Sequence, residues 1–364
     1  MKKYFVDIIK NTLENTPDNA KRVTALLNEK TIDFYPKFLY KYRSCDKEHN
    51  FEMLEQEYVW ADYPKEFDDP FDAIVNLRLK AELNEIEKWI YQHLGELIYY
   101  KIPPEGMEPI KHGQKLSKYI EAQKGFVVNG KLNSKRIIAA QQTELSKLPA
   151  NQRQNMIQYY KSFEKPEFRN FIEENAKKAL YDNVNILREQ AQVVCLTTRN
   201  NNQKMWEDYS AKYSGFVIQY NRPKYEDINE EEKELIIQLL PVSYYKQIPR
   251  VSVLPILKYI YQHKLYGITS EIPYEMVTWF CQMLYKKKEY SSEEEWRIIT
   301  GSNEHKIQFP YVSAVYAGYK INKDNLERLE DICRNKGIAL YKQELDKYNG
   351  MLYFKRILEG DRDA

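Results

Sequence analysis

The chain has 364 residues, enough for one large domain or two ordinary ones, and its 43% apolar content can bury a sizeable core. With 55 basic and 53 acidic residues the formal net charge is only +2, which excludes a global field that recruits nucleic acid while leaving room for a local basic patch. Cys45, Cys195, Cys281 and Cys333 form no CxxC pair, Asp7 and Lys10 interrupt the N-terminal run, and no stretch reaches about 18 apolar residues. Free thiols in a soluble cytoplasmic protein, with no signal peptide and no membrane span, are therefore expected.

In chain order, residues 3–30 read as one or two amphipathic helices broken near Pro17. Residues 38–43 alternate and are aromatic, which predicts a strand, and 51–57 read as a short helix. A second strand is expected at 58–61, followed by the acidic loop 63–72. From about 80 to 190 the pattern is mostly helical. Leu83, Ile86, Ile90, Leu94, Leu97 and Ile98 share one helical face, with breaks at 102–106 and 126–134.

The pattern then changes. The β-branched run 192–198 predicts a buried strand, 204–213 a short helix and 215–220 the next strand. Further strands are expected at 242–245, 296–300, 312–317, 338–341 and 351–354, with helices over 252–288 and 322–336. Strand segments thus come early and late, with a helical block between them. The expected fold class is α+β: N-terminal helices over 1–36, then a single domain over 37–364. Its central sheet is mostly antiparallel and carries a helical insertion at about 80–190.

Four clusters are candidates for chemistry. Arg43, in Tyr40-Lys41-Tyr42-Arg43-Ser44, sits at a strand end where a guanidinium forks onto phosphate or carboxylate; a surface Arg among packing aromatics is the plainer alternative. Asp68, Asp69 and Asp72 cluster between Phe67 and Phe71, as Mg²⁺ ligands do and as structural turns also do. The segment from Cys195, Thr197 and Thr198 through Trp206 and Tyr209 to Gly215 lines a pocket, or else Trp206 is core. Finally, strand alternation from Glu293 to Arg297 turns Glu293, Glu295 and Arg297 to one face and Glu294 away. Three charges on one face are costly to bury without a ligand or each other, and close carboxylates perturb each other's ionisation. The plainer alternative there is an exposed acidic turn. The scattered histidines form no catalytic array, and no glycine-rich phosphate loop occurs.

Taken together and in order, these segments resemble domain-of-unknown-function family 2971, a bacterial and phage-associated group. The resemblance is carried by Lys41-Tyr42-Arg43, by Val59-Trp60 with the 67–72 loop, and by Cys195, Thr197, Met205-Trp206, Tyr209 and Gly215. Glu293, Glu295 and Arg297, then Ala317-Gly318, complete it. Asp68, Leu196, Thr197 and Tyr290 depart from the usual Asn, Phe, Ser and Trp. A fainter similarity is to the Arg–Ser–Glu pattern of ADP-ribosyltransferases. It implies that Arg43 holds the phosphate or ribose of NAD⁺ and that Thr197, or Thr198, supports the nicotinamide-ribose pocket. Tyr42 or Tyr209, with Trp206 nearby, would stack on nicotinamide. Glu295 would bind the ribose 2′-OH and stabilise the oxocarbenium-like transition state, while Glu293 activates the acceptor.

The expectation that follows is an NAD-using effector that cleaves the nicotinamide–ribose bond, without a tightly bound metal. Its acceptor is a protein or nucleic acid, and its setting is antiphage defence or toxin action with a defence-system partner. Two alternatives stay open. One is a metal-dependent nuclease with Asp69, Asp72, Glu293 and Glu295 on Mg²⁺ and Lys288 or Arg297 on phosphate. The other is a non-enzymatic sensor in which the same cluster is a structural network. The oligomeric state is open.

Overall fold

The computed structural model describes residues 35–92 apart from 75, parts of 114–181, 188–254 apart from short gaps, 282–300 and 304–360. The helices expected over 3–30, and most of that expected over 252–288, lie outside the described residues. The strands are β1 (Phe38–Arg43), β2 (Tyr58–Trp60), β3 (Asn76–Leu77), β4 (Val127–Val128), β5 (Lys131–Leu132), β6 (Gln192–Thr197), β7 (Phe216–Asn221) and β8 (Leu239–Pro241). They continue as β9 (Ser243–Tyr245), β10 (Arg250–Val251), β11 (Tyr285–Lys287), β12 (Glu295–Thr300), β13 (Lys306–Gln308), β14 (Val312–Ala317), β15 (Ala339–Leu345) and β16 (Leu352–Leu358). The described helices are α1 (Glu48–Glu55), α2 (Leu79–Gln92), α3 (Ser134–Ala140), α4 (Gln142–Lys147), α5 (Ala150–Ser162), α6 (Gln203–Asp208), α7 (Glu230–Ile237) and α8 (Lys323–Lys336).

Eight strands form one sheet in the order β16-β15-β14-β7-β1-β6-β12-β8. Only β14 and β15 run parallel, so the architecture is α+β with a mostly antiparallel sheet, as the pattern predicted. Among the described residues, 44–191 contribute no strand to it. That stretch holds α2 to α5 and small pairings instead, including the β4–β5 hairpin where a helix break was expected. Two strands were not predicted: Leu239-Leu240-Pro241 joins the sheet, and Lys306–Gln308 pairs with β2. One expectation is corrected. Tyr285–Lys287, expected to be helical, is a strand parallel to β9. These segments are only three residues long, too short to display a period, and tertiary pairing decides them.

Burial follows from the two-residue repeat of a strand. One face of the sheet carries Leu39, Val194, Leu196, Phe216, Ile218, Trp296 and Ile298 against Phe51, Leu54, Leu329 and Ile332 of α1 and α8. The Asn322 side chain accepts from the Asn325 N–H to start α8, and Gly337, left-handed at φ 63°, ends it. The other face carries Tyr40, Tyr42, Val217, Ala314 and Tyr316 against Trp206 and Tyr213.

The centre of the sheet splits. β1 is registered on β7 over its whole length but meets β6 at a single pair, Tyr40 opposite Thr197. Side chains take over where the backbone ladder stops. Lys41 Nζ donates to the Cys195 carbonyl at 2.6 Å, and the Tyr42 hydroxyl donates to the Arg199 carbonyl at 3.0 Å.

Beyond α6, Ala211, Lys212 and Tyr213 are successively left-handed, at φ 49°, 55° and 71°, which is unfavourable for L-residues. The turn is held by the Tyr213 N–H on the Trp206 carbonyl and the Gly215 N–H on the Ser210 carbonyl. Gly215 is dictated by contact: a Cβ there would lie 2.1 Å from the Arg43 carbonyl oxygen and 3.0 Å from that of Ser210. Gly215→Ala is expected to cost about 1–3 kcal/mol through overpacking. Urea unfolding measures it, and an unchanged midpoint would contradict this account.

Candidate functional site

Sequence parity predicted that Glu293, Glu295 and Arg297 converge. They do, but not because all three lie on one strand. Lys288–Glu293 is a 3₁₀ turn, and Glu294 reverses it in the left-handed region at φ 45° before β12 begins at Glu295. The reversal brings Glu293 and Glu295 onto one cation. Lys286 Nζ, on β11, lies 2.6 Å from Glu293 Oε2 and 2.9 Å from Glu295 Oε2. All three side chains are nearly sealed from solvent.

Arg297, 0% exposed, sits one rung further along β12 and is fully engaged. Its Nη1 and Nη2 donate to Asp72 Oδ1 and Oδ2 at 2.8 and 2.7 Å, a two-pronged pairing. Its Nε donates to Glu295 Oε1 at 2.7 Å, and Nη1 also donates to the Met283 carbonyl at 2.6 Å. Its guanidinium stands 5.6 Å above the Phe67 ring. Three carboxylates, Asp72, Glu293 and Glu295, therefore face two cations, so the buried cluster carries an uncompensated negative charge.

That imbalance separates the two glutamates. Burial pushes the Glu295 carboxyl up, but Arg297 and Lys286 outweigh it and hold the group well below its ordinary value of 4.5. Burial likewise pushes Glu293 up. Lys286 offsets only part of this and the Glu295 charge adds to it, so Glu293 stays raised. For Lys286, burial pushes down, but Glu295 and Glu293 prevail and hold the ammonium charged. The Tyr209 hydroxyl donates to Glu293 Oε1 at 3.3 Å, while the residue is 40% exposed. Tyr209 is thus a half-open cover over an otherwise closed pair. The Glu295 N–H donates to the Tyr244 hydroxyl at 2.8 Å, fixing the start of β12.

Thr197 lies beside Glu295 in register, and its hydroxyl donates to the Glu293 carbonyl. This ties the 3₁₀ turn to β6. Thr198 donates to Glu294 Oε2 at 2.6 Å, and Arg199 Nη2 to Glu294 Oε1 at 2.7 Å. Glu294 faces away from the pair, as expected, although through its left-handed conformation and not strand parity, and it latches the turn from outside. Asn202 Nδ2 adds a bond to the Ser292 carbonyl at 2.7 Å.

Two expected groupings do not form. Trp206 does not line the pocket: it is 1% exposed, stacked on Tyr213 at 5.8 Å and edge-on to Tyr42 at 5.4 Å, with its indole N–H on the Asn200 carbonyl. Tyr42 shares the face of Thr197 but is committed to Trp206 and to the Arg199 carbonyl. Arg43 is an odd number of residues from Tyr40, which stands beside Thr197 and hence Glu295. The register therefore turns Arg43 to the opposite face, towards Tyr220, Asp62 and Tyr58. The acidic loop is likewise not a metal nest: Arg297 occupies both Asp72 oxygens, and Lys287 Nζ lies 3.4 Å from Asp69 Oδ1. Among the described residues no group of three or more His, Cys, Asp or Glu is placed to share a metal ion.

Sequence reasoning missed Lys286, Asp72 as the partner of Arg297, and Tyr244. For Lys286 the available signal was the run Lys286-Lys287-Lys288 just before the glutamates. Among the described residues, no helix is long and apolar enough to cross a membrane. No curated protein and no solved structure matches the chain. Residues 205–298, from α6 into β12 and including Glu293, Glu295 and Arg297, match the model of a family described as protein of unknown function (DUF2971), the family its motifs resemble.

Proposed function

We propose that the chain cleaves the nicotinamide–ribose bond of NAD⁺, as an ADP-ribosyltransferase or an NAD⁺ hydrolase. The observation that carries this reading is the glutamate pair: two carboxylates on one lysine, with ionisations pushed in opposite directions. Such a pair suits glycosidic chemistry, where one carboxylate stays ionised and the other exchanges a proton. The pairing of β6 with β12, which sets Thr197 beside Glu295 although the two are distant in sequence, supports it as well.

In this reading Glu295 is the fixed negative charge that stabilises the cation developing on the ribose. The electron pair of the breaking C1′–N bond goes to the nicotinamide ring, which leaves neutral. An acceptor O–H or N–H forms the new bond to C1′, and its proton passes to Glu293. Tyr209, 40% exposed beside Glu293, offers its ring to the nicotinamide. Thr197 holds the turn that carries Glu293. Because Asp72 is taken by Arg297, the arrangement favours this chemistry over a two-metal nuclease. The setting that goes with it is a toxin-like or antiphage effector acting on a macromolecular acceptor.

The test is purified protein with NAD⁺ and detection of free nicotinamide; no release above background at any acceptor concentration would end the proposal. Glu293→Gln separates the roles. It is expected to lower transfer to an acceptor by about 10²–10⁴-fold, the usual yield of a positioned base. Transfer in the parent should rise with pH to a midpoint above 4.5, because Glu293 must lose its proton and its pKa is raised. In Glu293→Gln that limb should disappear.

A further inference from the structure

On the face of the sheet opposite the glutamates, β1 presents two cations, Lys41 and Arg43, that have no carboxylate within ion-pair distance among the described residues. Lys41 Nζ makes one hydrogen bond, to the Cys195 carbonyl at 2.6 Å. The Arg43 side chain makes none among the described residues, and its Nε is shut off from solvent without a partner. Two acids act on Lys41 from beyond ion-pair distance, Glu295 and then Asp62, and Asp62 acts on Arg43 as well. Asp62 is engaged elsewhere: Oδ1 accepts from the Trp60 indole at 2.8 Å and lies 3.9 Å from His305 Nδ1. Beside Arg43 stands Tyr220, 1% exposed, whose hydroxyl is also buried without a partner.

Both residues are half-buried, and withdrawing a cation from water without a counter-charge is costly for a fold. Here two stand two residues apart on one strand, together with an idle phenol. We infer that Lys41, Arg43 and the Tyr220 hydroxyl form a binding site for a small oxyanion, inorganic phosphate or a phosphate ester, on the far side of the sheet from Glu295. The guanidinium fork suits a tetrahedral oxyanion, the ammonium adds a point charge, and the phenol supplies a neutral donor. The electrostatics agree. Burial, followed by the Arg43 charge, lowers Lys41 to about 8, and burial lowers Arg43 as well; a bound anion reverses both. The split between β1 and β6 lies beside the site, so an anion here also braces the strand that faces Thr197.

The site is independent of the NAD⁺ reading, and the experiment keeps the two apart. Thermal unfolding of the full chain is followed in phosphate-free buffer and then with inorganic phosphate, with sodium chloride added to hold ionic strength constant. A phenyl phosphate arm distinguishes free phosphate from an ester. The expected result is a rise in Tm that saturates with phosphate and that persists in Glu295→Gln. Arg43→Met should weaken the phosphate affinity by about 10- to 100-fold, the worth of charge-assisted hydrogen bonds. It should also raise Tm in the absence of phosphate, because it removes an unpaired, half-buried charge. Tyr220→Phe should weaken phosphate without lowering the phosphate-free Tm. A wild-type Tm that phosphate does not move would overturn the inference. So would an Arg43→Met protein that keeps the full phosphate response or melts lower than the parent without phosphate.

Discussion

Glu295→Gln is expected to lower nicotinamide release by about 10²–10³-fold, the usual loss when one preorganised electrostatic group is removed from a closed site. The fold should survive the change. Glu295 is one of three carboxylates facing Arg297 and Lys286, so its neutralisation leaves Asp72 with Arg297 and Glu293 with Lys286, a balanced set. The glutamine also retains a carbonyl oxygen for Arg297 Nε. A large rate loss with an almost unchanged urea midpoint is therefore the signature of a charge that acts on the substrate. A variant that unfolds instead would show Glu295 to be structural, and one that keeps full activity would remove it from the chemistry. Glu294→Gln is the internal control, because that side chain latches Thr198 and Arg199 from outside.

Arg297→Met is expected to destabilise the protein by about 3–5 kcal/mol, the cost of removing one partner from a buried ion-pair network. The methionine fills similar volume, so the loss is electrostatic. Asp72, Glu295 and Glu293 are left to share Lys286, and the Met283 carbonyl loses its donor. Asp72→Leu in the same chain should restore part of the loss, because the two residues lie in direct contact and their effects do not add. Chemical denaturation of the single and double variants measures the coupling; additive losses would dissolve the claim that Arg297 and Asp72 act as one unit. The pH dependence carries its own sign. Glu295 is held below 4.5, so its contribution is complete above 4.5 and is lost as pH falls towards its folded-state value. Glu293 is raised, so its contribution runs the other way, present below 4.5 and lost as pH rises through its folded-state value. In Arg297→Met the stability that Glu295 contributes above 4.5, and hence its loss in acid, should shrink.

Much of this was readable in the chain itself. The β-branched run Gln192–Thr197 and the apolar run Val312–Ala317 announce buried strands, because only a two-sided sheet position accommodates such continuous burial. The amphipathic stretch ending at Gly337 announces α8 and its left-handed cap. The convergence of Glu293 and Glu295 was legible as spacing, although the structure reaches it through a left-handed residue instead of a continuous strand.

What tertiary structure alone decided is which charges meet. Asp72 and Arg297 are 225 residues apart in the chain, and no local rule relates an acidic loop to a strand so distant. Lys286 sits on a strand whose three residues are too few to show a period, and its role exists only because β11 lies beside the turn at Glu293. The face taken by Arg43 depended on register: once Tyr40 stands opposite Thr197, residue parity sends Lys41 and Arg43 to the other side of the sheet. Sequence determines local conformation because steric and hydrogen-bonding preferences act within a few residues. It leaves the pairing of buried charges to the fold, because Coulomb energy depends on distance in space and on exclusion of water, and both are set only when the strands close.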